Sequence, residues 1–317
     1  MIKFHSEFAK RLEAYVRLRQ GLGLKFTKQI KILRAFDQFL QTRAYQHMLT
    51  EALVLEFATA SSPGAKAYNA QRYQVVRHFT DYMAAYQPDA PQLDPKKLIR
   101  PKTRHAIRIP TDEELSRLMT EGERISTCNP MRNLSLHTII GLVASTGLRI
   151  GEIVRLDKSD VDLERGQLLV RKTKFGKDRI VPVHPSTRRN LQYYAHVRDE
   201  VFRGCESPAF FISTKERRFT IGGLGRDFLE LRHRSGLEGS GYAGMGFHSL
   251  RHKFAVTRLA TWYKEDKDPQ AMLPLLATYM GHAHYTDTAH YLSATVELLG
   301  VAAARFHAGF QEKECRP

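Results

Sequence analysis

Cysteine is nearly missing from this 317-residue chain: Cys128, Cys205 and Cys315 stand far apart, with no C-x-x-C spacing. That scarcity excludes a disulfide scaffold and a zinc-finger framework, and it fits a reducing cytosol. No apolar run approaches the ~20 residues that cross a bilayer, so no membrane association is expected. The start, MIKFHSEFAKRLEAY, carries charges throughout and lacks an apolar stretch, so a signal peptide is not expected either. Internal repeats and low-complexity tracts are absent. The glycine-rich stretches at 222–225 and 239–246 lack the Lys-Ser/Thr of a phosphate-binding loop, so no nucleotide is implied. Acidic side chains are also in deficit.

What is present starts from that deficit. Lys and Arg number 49 against 33 Asp and Glu, a net charge of +16 with a pI near 9.8. Such an excess attracts a polyanion, for which nucleic acid is the usual candidate in the cytoplasm. Residues 1–109 hold 19 basic and 8 acidic side chains, net +11, and residues 110–317 hold 30 and 25, net +5. Two thirds of the excess thus falls in one third of the chain. This predicts an N-terminal element that grips phosphates and a more balanced C-terminal element with another task.

Periodicity organises the chain into two domains and a connector. Residues 1–90 read as four helices. Phe8, Leu12, Tyr15, Val16 and Leu18 mark the first, which Gly21 and Gly23 stop. Thr27 is expected to cap the second, and Thr50 opens the third. The fourth runs from about 65 to 86. Lys28, Lys31, Arg34, Arg72, Arg77 and His78 lie on these helices, and the first five are candidate DNA contacts. Residues 91–109 read as a basic, proline-rich linker, extended rather than helical. From Lys96 it has seven basic residues, counting His105, and no acidic one. Lys96, Lys97, Arg100, Lys102 and Arg104 are candidate DNA contacts there. The second domain, 110–317, opens with the capping box Thr111-Asp112-Glu113-Glu114. An apolar helix follows over 134–144, then three short strands over 161–163, 167–173 and 179–183, the last turn at Phe175-Gly176. Helices resume to the end. The expected fold is mainly α, with a helical domain and a mixed α/β domain bearing a small three-stranded antiparallel sheet.

Four separated segments carry the chemistry: STGLRIGEI (145–153), KTKFGKDRIVPV (172–183), FHSLRH (247–252) and MGHAHYTDTAHY (280–291). Each alone is weak, since a helical arginine is usually a surface charge and a hairpin lysine is usually solvated. Together and in this order they resemble the tyrosine recombinases, the phage-integrase family, over about 109–308. The resemblance implies the catalytic set. Arg149 matches the first arginine and Lys174 the hairpin lysine of a K-x-x-K-x-R-hydrophobic-V-P pattern. His248 and Arg251 match the H-x-x-R pair, His282 the following histidine, and Tyr291, nine residues later, the nucleophile. One departure is visible: the Arg251–His282 interval is longer than usual. Glu152 either orients the guanidiniums or serves as a surface or cap residue.

Elementary chemistry agrees with that assignment. Cleaving a phosphodiester without a metal needs a nucleophile, cationic clamps and a proton donor for the leaving oxygen. Arginine forks match the non-bridging oxygens. Lys174 would protonate the departing 5′ oxygen, His248 would accept the tyrosine proton, and His282 would donate to the phosphate. No cofactor is implied. His248 and His252 are spaced as in a helical zinc site, but S-L-R between them lacks the glutamate and adds a cation. Tyr285, only three residues after His282, is a rival nucleophile that the family spacing disfavours.

The resemblance further implies strand exchange through a 3′-phosphotyrosyl intermediate and a Holliday junction. It implies a homotetramer on double-stranded DNA with paired inverted sites, a monomer or weak oligomer when free, and a cytoplasmic, nucleoid-associated location. With no arm-binding domain expected before the helical region, the lean is to a transposon- or Xer-like simple recombinase. The stripe Val296, Leu299, Val301 and Phe306 would pack on its own core or dock in a neighbouring protomer. The rivals are a type IB topoisomerase, a metal-dependent nuclease or transposase, and a non-catalytic DNA-binding regulator.

Overall fold

The structure is a computed structural model that describes residues 3–42, 49–60, 66–87, 90–98, 108–124, 130–171, 178–282 and Thr288. The chain divides into two compact units, Met1–Arg104 and His105–Pro317. Among the described residues no helix is long and apolar enough to cross a membrane.

In the first unit, α1 (Ala9–Gly21), α2 (Thr27–Thr42), α3 (Glu51–Thr59) and α4 (Lys66–Ala84) surround an aromatic-rich core. Leu12, Tyr15, Leu33, Phe36, Phe57, Tyr73 and Phe79 are buried there. Leu18, expected on the apolar face of α1, is 47% exposed, because two residues beyond Val16 is more than half a turn around the helix. Thr27 begins α2 instead of capping it; the Phe26 carbonyl takes the first helical bond, from the Ile30 amide at 3.0 Å. Thr50 does cap α3, its hydroxyl accepting from the Leu53 amide. Buried Asp37 accepts the amides of His5 and Ser6 at 2.8 and 2.9 Å, which ties the start of the chain to α2. Ala90 and Leu93 are buried in the same core, and Tyr73 Oη donates to the Asp94 carbonyl at 3.0 Å.

In the second unit, α5 (Asp112–Arg124) starts at the expected capping box. The Thr111 amide donates to Glu114 Oε2 at 2.8 Å and the Glu114 amide to Thr111 Oγ1 at 3.2 Å. The apolar helix α6 (Pro130–Thr146) runs through the main core, and short α7 (Ile150–Arg155) follows it. Strands β1 (Val161–Asp162), β2 (Gln167–Val170) and β3 (Arg179–Pro182) form an antiparallel sheet in the order β1-β2-β3. Gln167 pairs with Pro182 and Val170 with Arg179. Alternation puts Leu168, Val170 and Val181 in the core and leaves Ile180 exposed. Helices α8 (Pro185–Val201), α9 (Ile221–Arg234), α10 (Phe247–Lys264) and α11 (Pro269–Met280) complete the described unit. A second apolar cluster, with Phe254, Leu259, Leu273, Leu276 and Met280, joins α10 to α11. The fold is mainly α with a small antiparallel sheet, as the sequence pattern predicts. The expected turn at Phe175-Gly176 lies outside the described residues.

Candidate active site

Arg149 stands at the junction of α6 and α7. Gly147 makes the turn at φ 64°, where a Cβ would come within 2.5 Å of the Phe254 ring. Only glycine fits there without displacing the ring. Arg149 then caps α7, and its amide donates to Glu152 Oε2 at 3.0 Å. Its Nη1 donates to Glu152 Oε1 and to the Gly281 carbonyl, both at 3.1 Å.

His248 and Arg251 share one face of α10, three residues apart. His248 is exposed, and its ring meets that of buried His252 edge-to-face at 4.5 Å. Arg251 is 1% exposed. Its Nη1 donates to the Gly147 carbonyl, and its Nη2 donates to the Met280 carbonyl at 2.8 Å and to His282 Nε2 at 2.7 Å. An arginine can only donate, so Nε2 of His282 is the accepting nitrogen. The proton then sits on Nδ1, which donates to Thr288 Oγ1 at 2.6 Å.

The end of α11 organises these groups. The last carbonyls of a helix lack intrahelical partners and carry partial negative charge. Here they are met by guanidiniums. Met280 O accepts from Arg251, and Gly281, left-handed at φ 69°, turns the chain so that His282 returns towards Arg251. Residues 149, 251 and 282, far apart in sequence, are thus brought together. Lys174 and Tyr291 lie outside the described residues.

One member of the cluster escaped the sequence reading. Arg179, on β3, donates through Nε to the Tyr279 carbonyl at 3.0 Å and through Nη2 to Glu152 Oε2 at 3.0 Å. The signal was its place as the arginine of the K-x-x-K-x-R-hydrophobic-V-P pattern. Glu152 itself is 3% exposed and bonded to both arginines. It also accepts the Arg149 amide as the capping-box residue of α7, so it is not a surface residue, and its cap position and its guanidinium contacts coexist. Burial pushes its carboxyl up, but the hydrogen bond and charge of Arg179, aided by the Arg149 amide and charge, hold it below the ordinary value.

The proposed DNA-binding side chains differ in setting. Lys28, Lys31 and Arg34 are exposed on α2. Arg77 bonds Gln74 and Asp81 on its own helix. Arg72 is buried: its Nη2 donates to the Phe57 carbonyl at 2.7 Å, and its guanidinium stacks 3.9 Å over the Phe57 ring. Those contacts turn it inward, away from any surface ligand. Lys96 is exposed, and Lys97 pairs with Glu51 at 3.3 Å. Arg100, Lys102 and Arg104 lie outside the described residues.

Known proteins share this sequence and fold. The phage integrase family model matches residues 109–297. A putative integrase/recombinase, y4rE, of Sinorhizobium fredii (strain NBRC 101917 / NGR234) is 42% identical over 305 residues, covering 96% of this chain and 97% of that protein. Tyrosine recombinase XerD of Mycobacterium tuberculosis (strain ATCC 25618 / H37Rv) is 30% identical over 222 residues, 68% of this chain and 67% of that one. Among solved structures, the Tn1549 transposon integrase in complex with transposon right end DNA superposes with a TM-score of 0.63 at 15% identity, over 93% of this chain and 98% of that one. A lambda integrase tetramer bound to a Holliday junction gives 0.61 at 18% identity, over 87% and 77%. Those two likenesses speak for the fold, and the sequence matches speak for descent: the chain belongs to the phage integrase family of tyrosine recombinases.

Proposed function

We propose that the chain is a site-specific recombinase that breaks and rejoins duplex DNA through a 3′-phosphotyrosyl ester on Tyr291. The observation that carries this reading is the convergence of Arg149 and Arg251 on the carbonyls at the C-terminal end of α11, with the His282 ring bonded to Arg251. A site with two guanidiniums and an imidazole in mutual reach suits a phosphate whose oxygens gain charge in the transition state. Arg149, with its side chain 31% exposed, meets the phosphate first. Phosphate oxygens then replace His282 as partners of Arg251, which frees Nε2 to take a proton and donate in turn.

The chemistry balances without external energy. The Tyr291 oxygen attacks phosphorus and yields its proton to His248, while the P–O5′ bond breaks and Lys174 protonates the departing oxygen. The tyrosyl ester keeps the bond energy, so a 5′-hydroxyl from a second duplex can reverse the step. Exchange of two strands and then two more gives a Holliday junction and its resolution. Four protomers on paired inverted sites would supply the four tyrosines, with the free protein a monomer or weak oligomer. In this reading 1–90 is the helical core-binding domain, 91–109 its linker and 110–317 the catalytic domain. The protein acts at the nucleoid, as a transposon- or Xer-like recombinase.

The test uses a duplex selected by the wild-type protein from a random-sequence pool and then nicked. Wild-type protein should form an SDS-resistant adduct on it, and Tyr291→Phe, which keeps the ring and loses one oxygen, should not. Tyr285→Phe should leave the adduct intact. An adduct that survives Tyr291→Phe and vanishes with Tyr285→Phe would overturn the nucleophile assignment; no adduct with wild-type protein would favour a non-catalytic DNA-binding protein.

A further inference from the structure

We propose that Arg179 is a positioning residue of this site: by sharing the Glu152 carboxylate, it keeps Arg149 cationic towards the scissile phosphate. The inference rests on the reading of the site given above. Glu152 is one carboxylate between two guanidiniums. Its Oε1 accepts from Arg149 Nη1 at 3.1 Å and from Arg179 Nη1 at 3.3 Å, and its Oε2 accepts from Arg179 Nη2 at 3.0 Å. The three side chains together carry one net positive charge. They are layered: the Arg149 side chain is 31% exposed, that of Arg179 13% and that of Glu152 2%. The surplus cation therefore faces outward, at Arg149.

Removing Arg179 would leave a pair that sums to zero. A buried carboxylate that loses one of two cations turns to the other. An incoming phosphate would then meet an arginine already neutralised by the anion directly behind it. In a site shielded from water that loss is large.

Arg179 has a second hold, which keeps the carboxylate where it can be shared. Its Nε and Nη2 reach the Tyr279 and Met280 carbonyls at 3.0 and 3.3 Å. Gly281 leaves it the space, since a Cβ there would lie 2.6 Å from Arg179 Nη1. Three residues along β3, the Pro182 carbonyl accepts from Tyr279 Oη at 3.0 Å, a second tie between the same two elements. Arg179 is thus fixed by the main chain of α11, which frees it from competing with Arg149 for the phosphate.

The experiment measures adduct formation by the full chain on the selected, nicked duplex. Arg179→Met should slow it by about 10²–10³-fold, the loss typical of one transition-state donor. Arg179→Met/Glu152→Gln, which restores the single positive charge, should recover most of that loss. On a duplex whose scissile phosphate carries a methyl group in place of one non-bridging oxygen, and so is neutral, the Arg179→Met defect should shrink. Arg179→Lys keeps the charge and should fall between wild type and Arg179→Met; it carries the test if Arg179→Met does not fold. A double variant no better than Arg179→Met, with a defect unchanged on the neutral phosphonate, would mean that Arg179 only braces β3 and would overturn the inference. Wild-type rates in Arg179→Met would do the same. A wild-type protein that forms no adduct would instead overturn the reading of the site.

Discussion

At the scale of the residue, the acid response of this protein should report on Glu152. Its folded carboxyl titrates below the ordinary value of 4.5, so the fold favours its ionised form. That contribution is complete above about 4.5 and is lost as the pH falls through the lower, folded value. Denaturant midpoints followed into acid should drop for wild type and flatten for Glu152→Gln; parallel curves would show that Glu152 is not a stabilising anion. Gly281→Ala should be harmful in another way. A left-handed alanine costs about 1–2 kcal/mol, and the new methyl group would push the Arg179 guanidinium off Glu152. Adduct formation should fall further than melting temperature does, whereas Gly147→Ala, which collides with the Phe254 ring beside a carbonyl that holds Arg251, should lower both. How much of this was legible differs by residue. Arg149, Arg251 and His282 were visible because their motifs are short and ordered. Arg179 was not: a hairpin arginine looks solvated until its partners, Glu152 and the Tyr279 carbonyl, arrive from distant segments. Arg72 misled for the opposite reason, since basicity suggested a phosphate contact. Its spacing from Asn69, Tyr73 and Val76, all buried, puts it on the inward stripe of α4.

Elements were easier to read than sites. The Thr111 capping box is a local signal, decided by a few neighbouring residues, and the structure has it. Strand ends were less legible: β2 spans Gln167–Val170 where a strand was expected over 167–173, of which 172 and 173 lie outside the described residues. Thr111→Ala should cost typically ~1 kcal/mol, as a lost helix cap does, and urea unfolding should show it without loss of adduct formation at saturating DNA. Helix α2 presents Lys31 and Arg34 to solvent over an inner face that is apolar except for the buried Asp37. Reversing both charges should weaken binding to every duplex and flatten the salt dependence, since each phosphate contact adds about 0.9 to the log–log slope. An unchanged slope would move the grip to the basic segment from Lys96 to Arg108.

For the whole molecule, the proposed mechanism has the basic side chains do the work of a divalent ion, so cleavage and strand exchange are expected to proceed in EDTA without nucleotide. Strict Mg²⁺ dependence of the cleavage step would exclude that division of labour. The arrangement around α11 has one more consequence. This helix spans twelve residues with Pro274 inside it, short enough and interrupted enough to be marginal in isolation. It persists because Leu273, Leu276 and Met280 dock against α10. Yet its final carbonyls are the shared anchor of Arg149, Arg179 and Arg251. Fraying of that one helix end would strip all three guanidiniums of their α11 carbonyl partners together. It would leave Arg149 and Arg179 held by Glu152 and Arg251 by the Gly147 carbonyl, so local opening of α11 is expected to loosen the whole site at once.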